Sequence, residues 1–262
     1  MNTIYTCLYD LFAKHYLKVA ISQGVMWGIS MIIANPTLVD VAWGFNHVIV
    51  GMSILSQHYP KLSYPSLIGG GLLFLWFVRL SGFLLYNRIL KEKFVDPRYE
   101  KMAEKRKMNK TAYYFIQFQL QGVLSTLTSI PLYFALSSAR SLSSLNYACV
   151  GIALIGIIGE AVADQQLQNF KNNRKEGKEL LREGLFKNAR HPNLFFELVF
   201  WFGMAGFAVN LNSLASLFAF AGPVFLWAIM KYLTIPITTK HMLKSKKNYD
   251  QVIKDTNTFV PF

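Results

Sequence analysis

YPSLIGGGLLFLWFVRLSGFLLYN, residues 64–87, is a run of 24 residues in which Arg79 is the one charged side chain. A helix rises about 1.5 Å per residue, so roughly 20 mostly apolar residues cross the hydrocarbon core of a bilayer. The run is long enough to do so. Gly69-Gly70-Gly71 within it reads as a close helix contact and not as a phosphate loop, because it lies deep in apolar sequence. Runs of the same character recur at 17–35, 37–58, 112–136, 143–163, 193–212 and 213–236. Together they predict an all-α integral membrane bundle of about seven transmembrane helices, a single domain over residues 1–262. Asn35-Pro36 and residues 210–213 read as tight hairpins, and Pro60 and Pro65 bracket another short turn. The apolar stretch after Lys18 lacks a small-residue cleavage site and is followed by further spans, so it reads as a span and not as a signal peptide.

Charge patterning agrees. A soluble domain carries about 25% charged residues, whereas this chain has 16%. The net charge of +13 is not spread evenly: segments 88–110, 170–191 and the tail from 231 hold 22 of the 27 Lys and Arg. With seven spans these three segments share one face, which the positive-inside rule makes cytoplasmic. The N-terminus is then expected outside and the C-terminus in the cytoplasm. Base confined to short loops argues against a nucleic-acid partner and for a lipid bilayer and an anionic or hydrophobic small molecule. Cys7 and Cys149 form no disulfide framework, and His47, His58 and His241 do not converge at metal-ligand spacing, so no metal is expected.

Five acidic residues lie outside the basic segments: Asp10, Asp40, Glu160, Asp164 and Glu197. The last four, like Arg79, fall within predicted spans or at their mouths. An ionisable group at bilayer depth costs roughly 3 kcal/mol on insertion scales and usually faces a protein interior or a wet cavity. Glu160, Asp164 and Gln168 recur every four residues, with Lys171 three further on, and so share one helix face. Asn193, Glu197 and Trp201 repeat the pattern at the start of the sixth span, and Asp40, Trp43 and His47 line one face of the second. Three polar faces and a buried arginine predict a common pocket; the alternative is polar glue between helices. Arg190-His191-Pro192-Asn193 adds a helix start, where free N–H groups, the helix dipole and two basic side chains suit a phosphate-bearing guest.

These residues also carry a resemblance. Val39-Asp40-Val41-Ala42-Trp43-Gly44, Arg79-Leu80-Ser81-Gly82, Asp96-Pro97-Arg98-Tyr99, Glu160-Ala161-Val162-Ala163-Asp164, Gly184-Leu185-Phe186, Arg190-His191-Pro192-Asn193 with Glu197 and Trp201, and the tail from Tyr249 to Phe262 follow one another as in a bacterial membrane family. The chain resembles the DUF1295 family, which is related to the C-terminal domain of steroid 5-alpha-reductases. The resemblance implies a reductase, in a bacterial inner membrane, that holds NADPH in a cavity open to the cytoplasm and saturates the C=C bond of a steroid-like or other lipid enone. It implies that Asp164, Arg190, His191, Asn193 and Glu197 contact the cofactor. It further implies that Arg98, Lys171 and Arg174 meet its phosphates, and that Tyr249 closes the mouth. Asp40 is the candidate for polarising the substrate carbonyl, with Arg79 as its neighbour or counter-charge. Whether Asp40 is protonated or ionised stays open at this stage. Two other readings also stay open. One is an S-adenosylmethionine-dependent membrane methyltransferase, since isoprenylcysteine carboxyl methyltransferases share the Arg190-His191-Pro192 entry. The other is a non-catalytic lipid-binding membrane protein.

Overall fold

The computed structural model describes residues 2–137, 139–173 and 180–262. Local sequence rules set most helix starts. Ser63, Asp96 and Asn109 each turn a side-chain oxygen back to accept an N–H of the first turn of the helix that follows. Those helices are α4 (Tyr64–Leu84), α5 (Pro97–Lys105) and α6 (Lys110–Thr128). Pro65, Pro97 and Pro192 sit in first turns, where a missing N–H is harmless. The other elements are α1 (Asn2–Asp10), α2 (Tyr16–Ile32), α3 (Leu38–His58), α7 (Ile130–Leu136) and α8 (Ser144–Asn173). They are followed by α9 (Pro192–Ala208), α10 (Ala221–Ile229), α11 (Ile235–Ser245) and α12 (Tyr249–Asp255). Among the described residues there is no β-strand, only isolated bridges.

Four continuous rods are long and apolar enough to cross a bilayer: Leu38–His58, Tyr64–Lys91, Ser144–Asn173 and Leu214–Ser245. The chain is therefore an all-α membrane bundle. Helices also occupy the remaining expected spans. α2 lengthens backwards through a π turn (Leu11–His15) into α1, and α9 is apolar but shorter, at 17 residues. The expected unbroken span over 112–136 is interrupted at Ser129. Pro131 has no N–H to continue the ladder, so α6 ends and the short α7 takes over. The expected span over 143–163 runs on to Asn173, carrying its polar face out past the apolar stretch.

Two π turns, Leu85–Lys91 after α4 and Met230–Thr234 before α11, were not foreseen. Pro236 accounts for the second. It cannot donate to the carbonyl four residues back and its ring crowds that carbonyl, so the helix widens just before it. π turns often stand at functional sites, and both of these border the cavities described below.

α8 and α9 run antiparallel in the closest contact of the bundle. A Cβ on Gly156 would stand 2.4 Å from the backbone nitrogen of Phe200, and one on Gly203 would stand 2.5 Å from that of Ala153. Small residues let two backbones approach in this way. The contact fixes a register: Gly156 faces Phe200 and Gly159 faces Phe196, so the next turn of α8 brings Glu160 and Asp164 to Asn193 and Glu197. Behind the contact Trp76 of α4 stacks on Phe200 at 5.3 Å, and His47 and Trp201 close the cluster at 4.7 Å.

Candidate functional site: an acidic chamber behind a basic vestibule

α4 carries Arg79 towards α8. Its guanidinium meets Glu160 Oε1 at 2.6 Å, donates to the Glu160 backbone carbonyl at 2.6 Å and pairs with Asp164 Oδ2. Asn193 Nδ2 donates to the other Asp164 oxygen at 3.2 Å, and Trp43 Nε1 donates to Glu197 Oε1 at 3.3 Å. α3, α4, α8 and α9 thus contribute two hydrogen-bonded groups, Arg79 with Glu160, Asp164 and Asn193, and Trp43 with Glu197. Apart from Arg79, their members share a chamber of about 220 Å³ whose lining includes Asp40, Trp43, Arg88, Gln121, Glu160, Asp164, Asn193, Glu197 and Thr234, so the three polar faces meet there at these positions, while His47 and Trp201 lie in the aromatic cluster.

The expected Asp40–Arg79 pairing does not occur. Asp40 accepts from Arg88 Nη1 at 2.9 Å and from the Tyr99 hydroxyl at 2.6 Å, so it is held between a cation and a phenol. Asp40 lies in the first turn of α3, level with the π turn that carries Arg88, whereas Arg79 points at α8. Burial and the nearby Asp40 carboxylate push the Tyr99 phenol up, so it remains a donor.

A second cavity, about 370 Å³, shares Arg88, Asn193, Leu194 and Thr234 with the first and so adjoins it. Arg98, Lys171, Arg190, His191, Lys246 and Tyr249 line it together with Arg88, and among the described residues no carboxylate does. Asp96 stands behind Arg98, accepting from its Nε at 2.9 Å and from Nη2 at 2.6 Å, while Arg98 Nη1 donates to Thr238 at 2.9 Å. Burial alone would raise Asp96, but the Arg98 hydrogen bonds and charge outweigh it and hold the carboxyl below its usual range. Lys171 lies 5.8 Å from the centre of the Phe94 ring. Burial, then the charges of Arg190 and Arg98, lower His191 to about 4, so its imidazole is neutral at physiological pH. Its Nε2 is buried and has no hydrogen-bond partner among the described residues. Burial raises the phenol of Tyr249.

Arg190 borders this vestibule, with its two terminal nitrogens engaged by the C-terminal tail and its Nε left without a partner among the described residues. Nη1 donates to the carbonyls of Ile253 at 3.0 Å and Thr256 at 2.7 Å, and Nη2 donates to Thr258 Oγ1 at 2.8 Å. With the Ala189–Asn257 bridge and the Asn188 contact to the Pro261 carbonyl, it straps the C-terminal tail to the start of α9. Arg190, expected at the cofactor, thus has a place both in the vestibule lining and in this tail contact. Arg174 lies outside the described residues. Sequence reasoning missed Arg88 and Tyr99, which looked like ordinary members of a basic loop, and Thr234, whose place follows from the π turn. Among the described residues no cluster of His, Cys, Asp and Glu could hold a metal ion.

An apolar helical bundle whose buried polar residues border two adjoining cavities defines an all-α membrane protein. The chain belongs to the family described as protein of unknown function (DUF1295), which matches residues 26–256. No curated protein and no solved structure matches the chain.

Proposed function

We propose that the protein is an NADPH-dependent reductase of a hydrophobic, bilayer-dissolved enone, with its basic face in the cytoplasm. The observation that carries this reading is the division of charge: a vestibule bordered by cations and, among the described residues, by no carboxylate opens onto a chamber that four carboxyls, two amides and the shared Arg88 border. Such a vestibule suits phosphate groups, which arginine meets with paired donors and lysine as a point charge. The chamber offers Asn193, Thr234 and Glu197 to the polar nicotinamide end. Its apolar lining, Leu80, Leu84, Leu124, Leu226 and Ile229, suits a greasy substrate. The unpartnered Nε2 of His191 fits a guest with hydroxyl or phosphate oxygens. The resemblance read from the sequence motifs, to a bacterial family related to steroid 5-alpha-reductases, points to the same reaction class and an inner-membrane setting.

When bound, the cofactor supplies hydride to the carbon beta to the carbonyl. Arg98, Lys171 and His191 hold its phosphate end, and Asn193 orients the nicotinamide end. Arg79 clamps Glu160 and Asp164 so that Asp164 is fixed where Asn193 can lean on it. Asp40 and Tyr99 position Arg88, which borders both cavities and can meet negative charge developing on the carbonyl oxygen. Asp40 therefore acts through Arg88, and Arg79 holds the chamber in shape.

Thermal unfolding of the full chain in detergent tests this. A ligand that binds the native state raises Tm by mass action. NADPH should raise it, and Arg98→Ala should need about tenfold more NADPH for the same rise, in line with the loss of one charge-assisted contact. A shift with S-adenosylmethionine and none with NADPH would move the protein to the methyltransferase reading. No shift with either would favour a non-catalytic lipid-binding bundle.

A further inference from the structure

Four carboxyls border the chamber, and three have a cation: Asp40 has Arg88, while Glu160 and Asp164 share Arg79. Glu197 differs. Its one hydrogen bond is from the Trp43 indole, and no described cation pairs with it, although the residue is only 8% exposed and lines the cavity. The groups around it are known. α8 presents Glu160 and Asp164, and α4 presents Arg79, already engaged with those two. α3 presents Asp40, and also His47, whose ring nitrogens meet the Trp43 carbonyl and Thr128. The π turn presents Arg88, whereas α7, α10 and the 3-10 segment Leu214–Phe220 bring no charged group. A carboxyl without a counter-ion in such a chamber either keeps its proton or acquires a positive partner.

We propose that Glu197 is the proton-carrying group of the chamber: protonated beside the reduced nucleotide, ionised beside the positive ring of the oxidised one, and the general acid of the reduction. This rests on the NADPH reading above. The enone C=C bond receives two electrons and one hydrogen at its beta carbon from the reduced nucleotide, and the displaced electron pair moves to the carbonyl oxygen as an enolate. The alpha carbon then forms its C–H bond with the Glu197 proton, and the O–H bond of the carboxyl breaks with its electron pair left on the carboxylate. The products are a saturated ketone, the oxidised nucleotide and ionised Glu197. The carboxylate recovers a proton from water reaching it through the vestibule after the nucleotide leaves.

The test is the pH dependence of nucleotide binding, without substrate or turnover. Kd is measured for NADP+ and NADPH on the full chain in detergent, wild type and Glu197→Gln, between about pH 6 and about pH 9. The glutamine keeps an acceptor for the Trp43 indole and cannot ionise. Both nucleotides carry the same phosphates, so the ratio of their Kd values isolates the nicotinamide ring. In the wild type NADP+ should gain on NADPH with rising pH, by up to about tenfold per unit, the limit for one linked proton. In Glu197→Gln the ratio should not change. A ratio independent of pH in the wild type overturns the proposal. A ratio that still follows pH in Glu197→Gln also overturns it, because another carboxyl then carries the proton. Failure of both nucleotides to bind the wild type at any pH overturns the cofactor reading and this proposal with it.

Discussion

The chamber and the vestibule adjoin, yet they treat charge in opposite ways. In the chamber most charges are matched: Arg79 serves two carboxylates and Arg88 serves a third. In the vestibule the lining is cationic and the compensating acid, Asp96, stands behind one of its cations. Depth explains the Arg79 cluster, whose side chains are at most 11% exposed, whereas the Arg88–Asp40 pair is as open as Arg98–Asp96. A charge far from water needs a fixed partner, and removing one member of such a pair leaves the other uncompensated. Near the mouth, water screens the cations until an anionic guest displaces it. The chamber is therefore part of what holds the fold, and the vestibule is mainly a place to bind.

That contrast can be broken, most severely at Arg79. Arg79→Ala strips Glu160 and Asp164 of their cation together and should cost about 3–5 kcal/mol, the range for breaking a buried pair; the loss would show as a collapse of Tm or of folded yield in detergent. Arg79→Lys keeps the charge without the fork and should fall between the variant and wild type. If Arg79→Ala unfolds like the wild type, the chamber is not structural. Gly203→Ala attacks the same region through the backbone. The new methyl would meet Ala153 of α8, and overpacking of this kind costs about 1–3 kcal/mol. Because it shifts the α8–α9 register, it should also weaken nucleotide binding.

His191 tests the border between the two regions by pH. Its folded value is about 4, against 6.5 for the free side chain, because burial and two arginines disfavour the imidazolium. Its neutral form therefore supports the fold fully above pH 6.5. That support fades as pH falls towards about 4, by an amount on the order of 3 kcal/mol. Tm measured against pH should drop more steeply over that window in the wild type than in His191→Asn. Equal slopes would mean that the imidazole is not buried as described.

The vestibule should yield the smallest stability effects and the clearest binding effects. Arg98→Ala should weaken NADPH about tenfold, and by leaving the buried Asp96 without its cation it should also lower Tm of the nucleotide-free protein, though less than Arg79→Ala, which strips two carboxylates. Raising salt from about 0.1 M to about 1 M shortens the screening length from about 10 Å to about 3 Å. It should weaken NADPH further while leaving the unliganded Tm nearly unchanged. A nucleotide affinity indifferent to salt would remove the vestibule from the binding site.

Much of this was legible early. The apolar runs around Arg79 and the spacing of Glu160 with Asp164, of Asn193 with Glu197, and of Asp40 with Trp43 pointed to helices with one polar face each, and those faces do meet. The pairings were not legible. Asp40 was expected beside Arg79 and pairs with Arg88, and the terminal nitrogens of Arg190, expected at an anion, meet the C-terminal tail. Side-chain period is a local property that any stretch of helix displays. Partner choice depends on relative depth and rotation, which period does not contain.

The sequence by itself determined that this chain is a helical membrane bundle, that its surplus base gathers in three segments between or after the apolar runs, and that a few ionisable groups lie within those runs or at their mouths, because length, hydropathy and spacing are written residue by residue. Only the tertiary structure decided who partners whom. The glycine contact between α8 and α9 sets the register that brings Asp164 to Asn193, the π turn aims Arg88 at Asp40, and Glu197 is left without a cation. Those outcomes rest on how rigid helices slide and turn against one another, and that is settled by packing across the whole bundle.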